Sequence, residues 1–124
     1  MGDYTPVHAG LPLTFTASAA VVGGQPVEIT GDMQVGPAAA TSAKVAGVAG
    51  YDCPAGSTVT VHTPGSSVEE VAVAAAVAAG AHVKAAGAGR VTGFVAGTDP
   101  EPARLGLCIK GQTTVGQPCR YLTA

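Results

Sequence analysis

The clearest patterning in this chain is the alternation of apolar with polar residues over short stretches. Leu13-Thr14-Phe15-Thr16-Ala17-Ser18-Ala19 alternates at period two, which predicts a half-buried strand with Leu13 and Phe15 facing inward. Val27-Glu28-Ile29-Thr30 alternates between the Gly23-Gly24 and Gly31-Asp32 turns, and Met33 to Val35 follows, so this stretch reads as hairpins. Lys44-Val45-Ala46-Gly47-Val48-Ala49 is an apolar run of strand length. In Ser57-Thr58-Val59-Thr60-Val61-His62, Val59 and Val61 fall on one face and Thr58, Thr60 and His62 on the other, before Pro64-Gly65 ends the strand.

Residues 66–80 carry conflicting signals. Ser67 followed by Glu70 fits a capping box, Glu69 and Glu70 suit the positive end of a helix dipole, and Gly80 suits a C-terminal cap. Val71 and Val73 alternate as in a strand. The expectation is a strand over Val68 to Val73 and a single helical turn over Ala75 to Ala79. Beyond Val83 come the Gly87-Ala88-Gly89 turn, Arg90 to Phe94, a loop with Pro100 and Pro102, and the runs Leu105 to Ile109 and Pro118 to Leu122. Short strands separated by Gly and Pro turns predict a mainly β fold, a small β-barrel or sandwich-like domain with at most one short helix.

The chain also matches itself. Gly24-Gln25-Pro26-Val27 and Gly80-Ala81-His82-Val83 lie 56 positions apart. Ala43-Lys44-Val45 and Ala103-Arg104-Leu105 lie 60 apart, as do Gly56-Ser57-Thr58-Val59 and Gly116-Gln117-Pro118-Cys119. A four-residue insertion around Gly97-Thr98-Asp99-Pro100 accounts for the difference. The expected organisation is an extended N-terminal arm over residues 1–12 and one β domain over 13–124, with an internal duplication in units of about 22–62 and 78–122. The arm reading rests on Pro6, Gly10 and Pro12 and on the lack of periodicity there.

Composition narrows the function classes. Of the 124 residues 47% are hydrophobic, but these are mainly Ala and Val with no Trp, so the core is thin and each side chain contributes little burial. Only 11% are charged and the formal net charge is −2, a surface suited to lying against another protein. Six scattered Lys and Arg residues build no phosphate-binding stripe, so nucleic acid is not an expected partner. Val71 to Ala79 is too short to span a membrane, and Met1 to Pro6 has neither the basic start nor the apolar run of a secretory signal; synthesis in the cytoplasm is expected.

Candidate chemistry is sparse. Cys53, Cys108 and Cys119 are too widely spaced for a metal knuckle or a redox pair, and Cys119 takes the repeat position of Val59, a small core hydrophobe. His8 falls in the arm, His62 on an outer strand face and His82 in a turn, with no nucleophile matched to any of them. The acidic residues sit mostly beside Gly or Pro, where they stabilise bends, and Glu69 and Glu70 point to opposite faces if they lie in a strand. Gly87 to Gly93 lacks the lysine and following helix of a phosphate loop. No catalytic, cofactor-binding or metal-binding residues are expected.

The order of pieces nevertheless carries a resemblance. Tyr4-Thr5-Pro6, the strand Leu13 to Ala19, Val22-Gly23-Gly24-Gln25-Pro26-Val27-Glu28-Ile29-Thr30-Gly31-Asp32, Val35-Gly36-Pro37-Ala38-Ala39, Lys44 to Ala49 and Val77-Ala78-Ala79-Gly80 together resemble the capsid cement, or head decoration, proteins of tailed bacteriophages. The resemblance implies a small β protein on the outside of an expanded icosahedral shell, commonly as homotrimers at or near three-fold positions. It implies the major capsid protein as partner, a virion location and a role in stabilising the shell, and it brings no catalytic residues. It also gives the arm, through Tyr4, Thr5, Pro6, Val7 and Leu11, a role in clamping onto the capsid. The chain departs from the pattern in Cys108, Cys119 and Ala81, the last where an acidic residue is expected. The alternative class is a carbohydrate-binding or adhesive β module, which the lack of Trp disfavours.

Overall fold

The computed structural model describes residues 12–64 and 68–123. The N-terminal arm residues Tyr4, Thr5, Pro6, Val7 and Leu11 lie outside the described residues. The described residues form ten strands: β1 (Leu13–Ala17), β2 (Pro26–Gly31), β3 (Gln34–Pro37), β4 (Val45–Ala49), β5 (Thr58–His62), β6 (Val68–Ala72), β7 (His82–Gly87), β8 (Arg90–Gly93), β9 (Gly106–Lys110) and β10 (Pro118–Thr123). A short 3-10 turn spans Glu101–Ala103. The fold is mainly β. Strands β1 to β5 close into a barrel in the order β1-β3-β2-β4-β5, and β6 to β10 form a second sheet in the order β6-β10-β9-β7-β8.

The two strand sets are built alike. In the β2–β3 hairpin Val27 faces Pro37, Ile29 faces Val35, and a bulge precedes Gly31 opposite Gln34. The β7–β8 hairpin repeats this 56 positions later: Val83 faces Gly93, Ala85 faces Val91, and a bulge precedes Gly87 opposite Arg90. The parallel pair Ala17 and Val35 that closes the barrel recurs as the parallel bridge between Val73 and Val91. The correspondence includes β1 and β6, since Phe15 faces Val59 as Val71 faces Cys119. In β4 and β9 the register matches Gly47 with Gly106, because Val27 faces the first and Val83 the second, so Ala43-Lys44-Val45 corresponds at an offset of 59 rather than 60. Three of the extra residues therefore lie in the loop before β9. One lies between Gln112 and Gly116, where the first half has Cys53 to Gly56.

Both glycines are required by close approach. A Cβ on Gly47 would strike the carbonyl of His62, and one on Gly106 the carbonyl of Leu122, at matching places in the two halves. The Gly87-Ala88-Gly89 turn joins β7 to β8, with Ala88 at φ 53° and Gly89 at φ 77°, the left-handed pair that a tight hairpin turn uses.

Two further expectations are corrected. There is no helical turn over Ala75 to Ala79: Val77 is extended and exchanges backbone hydrogen bonds of 2.9 Å in both directions with Gln112, which uses the groups a helix would need. The helical piece is instead the 3-10 turn at Glu101–Ala103, entered through Pro100 and Pro102. His82 lies in a strand, opening β7, and not in a turn.

Each half has its own core. In the barrel Phe15, Ala17, Val21, Val27, Val35, Val59 and Val61 pack together. In the second half Val71, Val73, Val77, Val83, Val91, Cys108, Cys119 and Tyr121 do so. Val48, on the outside of the barrel, joins the second core, which seats one half against the other.

Candidate docking surfaces

Among the described residues no group of three His, Cys, Asp or Glu side chains could hold a metal ion. His62 is exposed at the end of β5, and His82 is half-buried with its Nδ1 enclosed and without a hydrogen-bond partner. Glu69 faces inward and Glu70 outward, and Glu70 pairs with Arg120 at 3.4 Å. All three cysteines are buried free thiols. Burial, with Cys108 beside it, pushes the Cys119 thiol up to about 11. Burial, followed by the charges of Glu69 and Cys119, likewise raises Tyr121 above the usual phenol range.

Antiparallel residues facing one another across strands share a face of the sheet. On the second sheet Val68 faces Leu122, Leu122 faces Leu107, and Leu107 faces His82, a row across β6, β10, β9 and β7. Its three aliphatic members are exposed, Val68 at 48%, Leu122 at 43% and Leu107 at 36%. The charged row of Glu70, Arg120 and Lys110 lies beside it. The corresponding outer face of the barrel carries Thr14 opposite Thr60 and Thr16 opposite Thr58. This apolar row is not marked by the sequence. Leu105 to Ile109 is apolar throughout, so alternation does not say that Cys108 is buried while Leu107 and Ile109 are exposed.

The loops beside these faces are fastened differently in the two halves. In the barrel Glu28 accepts a 2.9 Å hydrogen bond from the Ala39 amide, and that bond, aided by the Ser42 hydroxyl and Lys44, holds its carboxyl below the usual range. Position 84 matches position 28 but is a lysine, which cannot accept from the matching Val95 amide. Asp99 does so at 2.8 Å and is itself held by Lys84 at 2.7 Å. The Lys84 bond first, then the Val95 amide, lowers the Asp99 carboxyl pKa.

A cleft of about 60 Å³ lies where the halves meet, lined by Val45, Val48 and His62 on one side and Arg104, Leu105 and Tyr121 on the other. It is small and belongs to the seam. Tyr51 is the largely exposed aromatic ring among the described residues, its hydroxyl donating to the Thr58 carbonyl at 3.2 Å.

A family model described as phage cement protein matches residues 7–119. No curated protein matches the sequence. Among solved structures, the head fiber gp8.5 N base of bacteriophage phi29 is similar, with a TM-score of 0.70 at 17% identity over 92% of this chain and 93% of that one. That likeness is one of fold.

Proposed function

Because the chain belongs to the phage cement protein family, we propose that it is a structural virion protein that binds the outer surface of the expanded capsid and stabilises the shell. The family match over residues 7–119 carries this reading. The similar phi29 protein is the base of a head fiber, which supports attachment to a phage head. The partners are the major capsid protein and further copies of this chain, as trimers at three-fold or quasi-three-fold positions. The N-terminal arm, with Tyr4, Thr5, Pro6, Val7 and Leu11, fastens the domain to the shell. Catalysis and cofactors have no part in this reading.

The physics of such a role is linkage. A protein that binds the expanded shell and not its dissociated subunits stabilises the shell by about 2.7 kcal/mol per site at one hundred times the dissociation constant. A trimer touching several capsid subunits gains further from effective concentration. A low-charge surface fits, since contacts made by apolar burial and backbone pairing are insensitive to salt.

The test is binding to purified shells before and after expansion. Saturable binding to expanded shells, with a raised rupture temperature, is expected, and deletion of residues 1–12 should sharply weaken it while the β domain stays folded. Equal binding to both shell forms, or none, would refute the reading.

A further inference from the structure

The outer face of the second sheet carries apolar side chains that no described residue covers. In the barrel the outward apolar position Val48 is sealed against the second core, at 4% exposure. The matching position of the second sheet is Leu107, which stays exposed together with Val68 and Leu122. The register shift of β10 against β9 leaves Ile109 outside the pairing. It is exposed at 46% and extends the apolar patch toward Lys110.

The patch is its own complement. Register sets two rows across β6, β10 and β9: Val68, Leu122 and Leu107 in one, Glu70, Arg120 and Lys110 in the other. A two-fold axis lying against this face, parallel to the strands and over β10, brings β6 of one copy onto β9 of the other. It sets Leu122 on Leu122, Val68 on Leu107 and the acid Glu70 on the base Lys110, and symmetry repeats the last two contacts. Arg120 also lies on the axis, where its own Glu70 draws each guanidinium aside at 3.4 Å. An axis laid across the strands instead brings each strand onto itself and gives neither charge an opposite partner. The outward Thr14, Thr16, Thr58 and Thr60 of the barrel offer neither the apolar residues nor the charges.

We infer that this face pairs with the same face of a second copy across a two-fold axis. A two-fold contact has no place inside a three-fold trimer, so it joins copies that belong to neighbouring trimers. The inference deepens the proposed lattice on the shell, and it rests on that reading. Val68, Leu107, Ile109 and Leu122, each only partly exposed, fall far short of the roughly 800 Å² per partner of a stable interface. The contact is therefore weak in free solution and acts between copies that attachment to a shell already holds close.

The test attaches Leu122→Cys protein to expanded shells and treats it with dibromobimane, which bridges two thiols only when they lie close together. Position 122 is on the axis, so this variant should link to itself in pairs. Val68→Cys should not link to itself, but it should link to Leu107→Cys on a different copy. The wild type, its three cysteines buried, should form no pairs. Adding Glu70→Lys or Lys110→Glu to the Leu122→Cys protein should lower the yield of pairs at least about tenfold, and mixing the two variants should restore it, since each supplies the charge that the other lacks. Both exchanges are at exposed positions, which spares the fold. No pairs at position 122 on saturated shells overturn the inference, as do pairs indifferent to the charge reversals or not restored in the mixture. Loss of shell binding by folded Leu122→Glu, with no pairs at position 122, also overturns it and gives the face to the capsid protein. Leu122→Cys protein that ignores shells, yet forms the same pairs in concentrated solution, refutes the proposed function and leaves this contact standing.

Discussion

The barrel and the second sheet use one backbone plan for different surfaces. Their inner positions exchange bulk while conserving it: Phe15 and Val61 on β1 and β5 correspond to Val71 and Tyr121 on β6 and β10, so the aromatic ring moves to the other strand of the pair. Volume-conserving exchanges of this kind are the ones cores tolerate. The outer positions follow no such rule. Thr14, Thr16, Thr58 and Thr60 of the barrel correspond to Glu70, Ala72, Pro118 and Arg120, and the covered Pro26 and Val48 to His82 and Leu107. Inner faces are held to a shape, and outer faces are free to take on a partner.

The comparison breaks most readily in the cores. Phe15→Ala should cost about 4 kcal/mol, and Tyr121→Ala a similar amount if the rings are equivalent, read as shifts of the denaturant midpoint. A small loss at Tyr121 would show that the second core is not organised around its ring. Next come the close approaches: Gly47→Ala and Gly106→Ala should each cost about 3 kcal/mol, since strand β5 or β10 must move. Harm at one glycine only would break the matched register of β4 and β9.

The loop fastenings are expected to act more locally. Lys84→Met leaves Asp99 without its cation and should speed amide exchange over residues 94–105, while leaving the Ala39 loop unchanged. Glu28→Gln should do the reverse. Both carboxyls titrate below their ordinary values, 4.5 for Glu28 and 3.8 for Asp99. Their contribution is therefore fully present above those values and disappears as pH falls through the lower folded ones. Acidification below about pH 4 should loosen both loops, and no change is expected between pH 6 and 8. The smallest effect is expected at Cys119, which stands where the barrel has Val59. Cys119→Val should change stability by less than about 1.5 kcal/mol. With its thiol held at about 11, native Cys119 should resist alkylation at pH 8.

Much of this plan is legible in the residues themselves. The alternation of Thr58 to His62 and of Leu13 to Ala17 reads directly as strands with one buried face, and the structure has them so. The glycine turns that open β2 and β7 mark both hairpins. The expectation of a helical turn over Ala75 to Ala79 fails because its signals, the Ser67 and Glu70 capping box and the Gly80 cap, are local, whereas the pairing of Val77 with Gln112 joins residues far apart in sequence. The apolar row of Val68, Leu122 and Leu107 is hidden for a related reason: these residues come from three strands and meet only through register. The exchange of Glu28 for Lys84 with Asp99 needs the three-residue difference between the loops, which a constant offset conceals.

Whether the protein covers a phage shell is decided by its copy number in gradient-purified particles, measured by quantitative mass spectrometry against the major capsid protein. A ratio near one to one, a lattice over the whole shell, is expected. A few copies per particle, or none, would contradict a cement role.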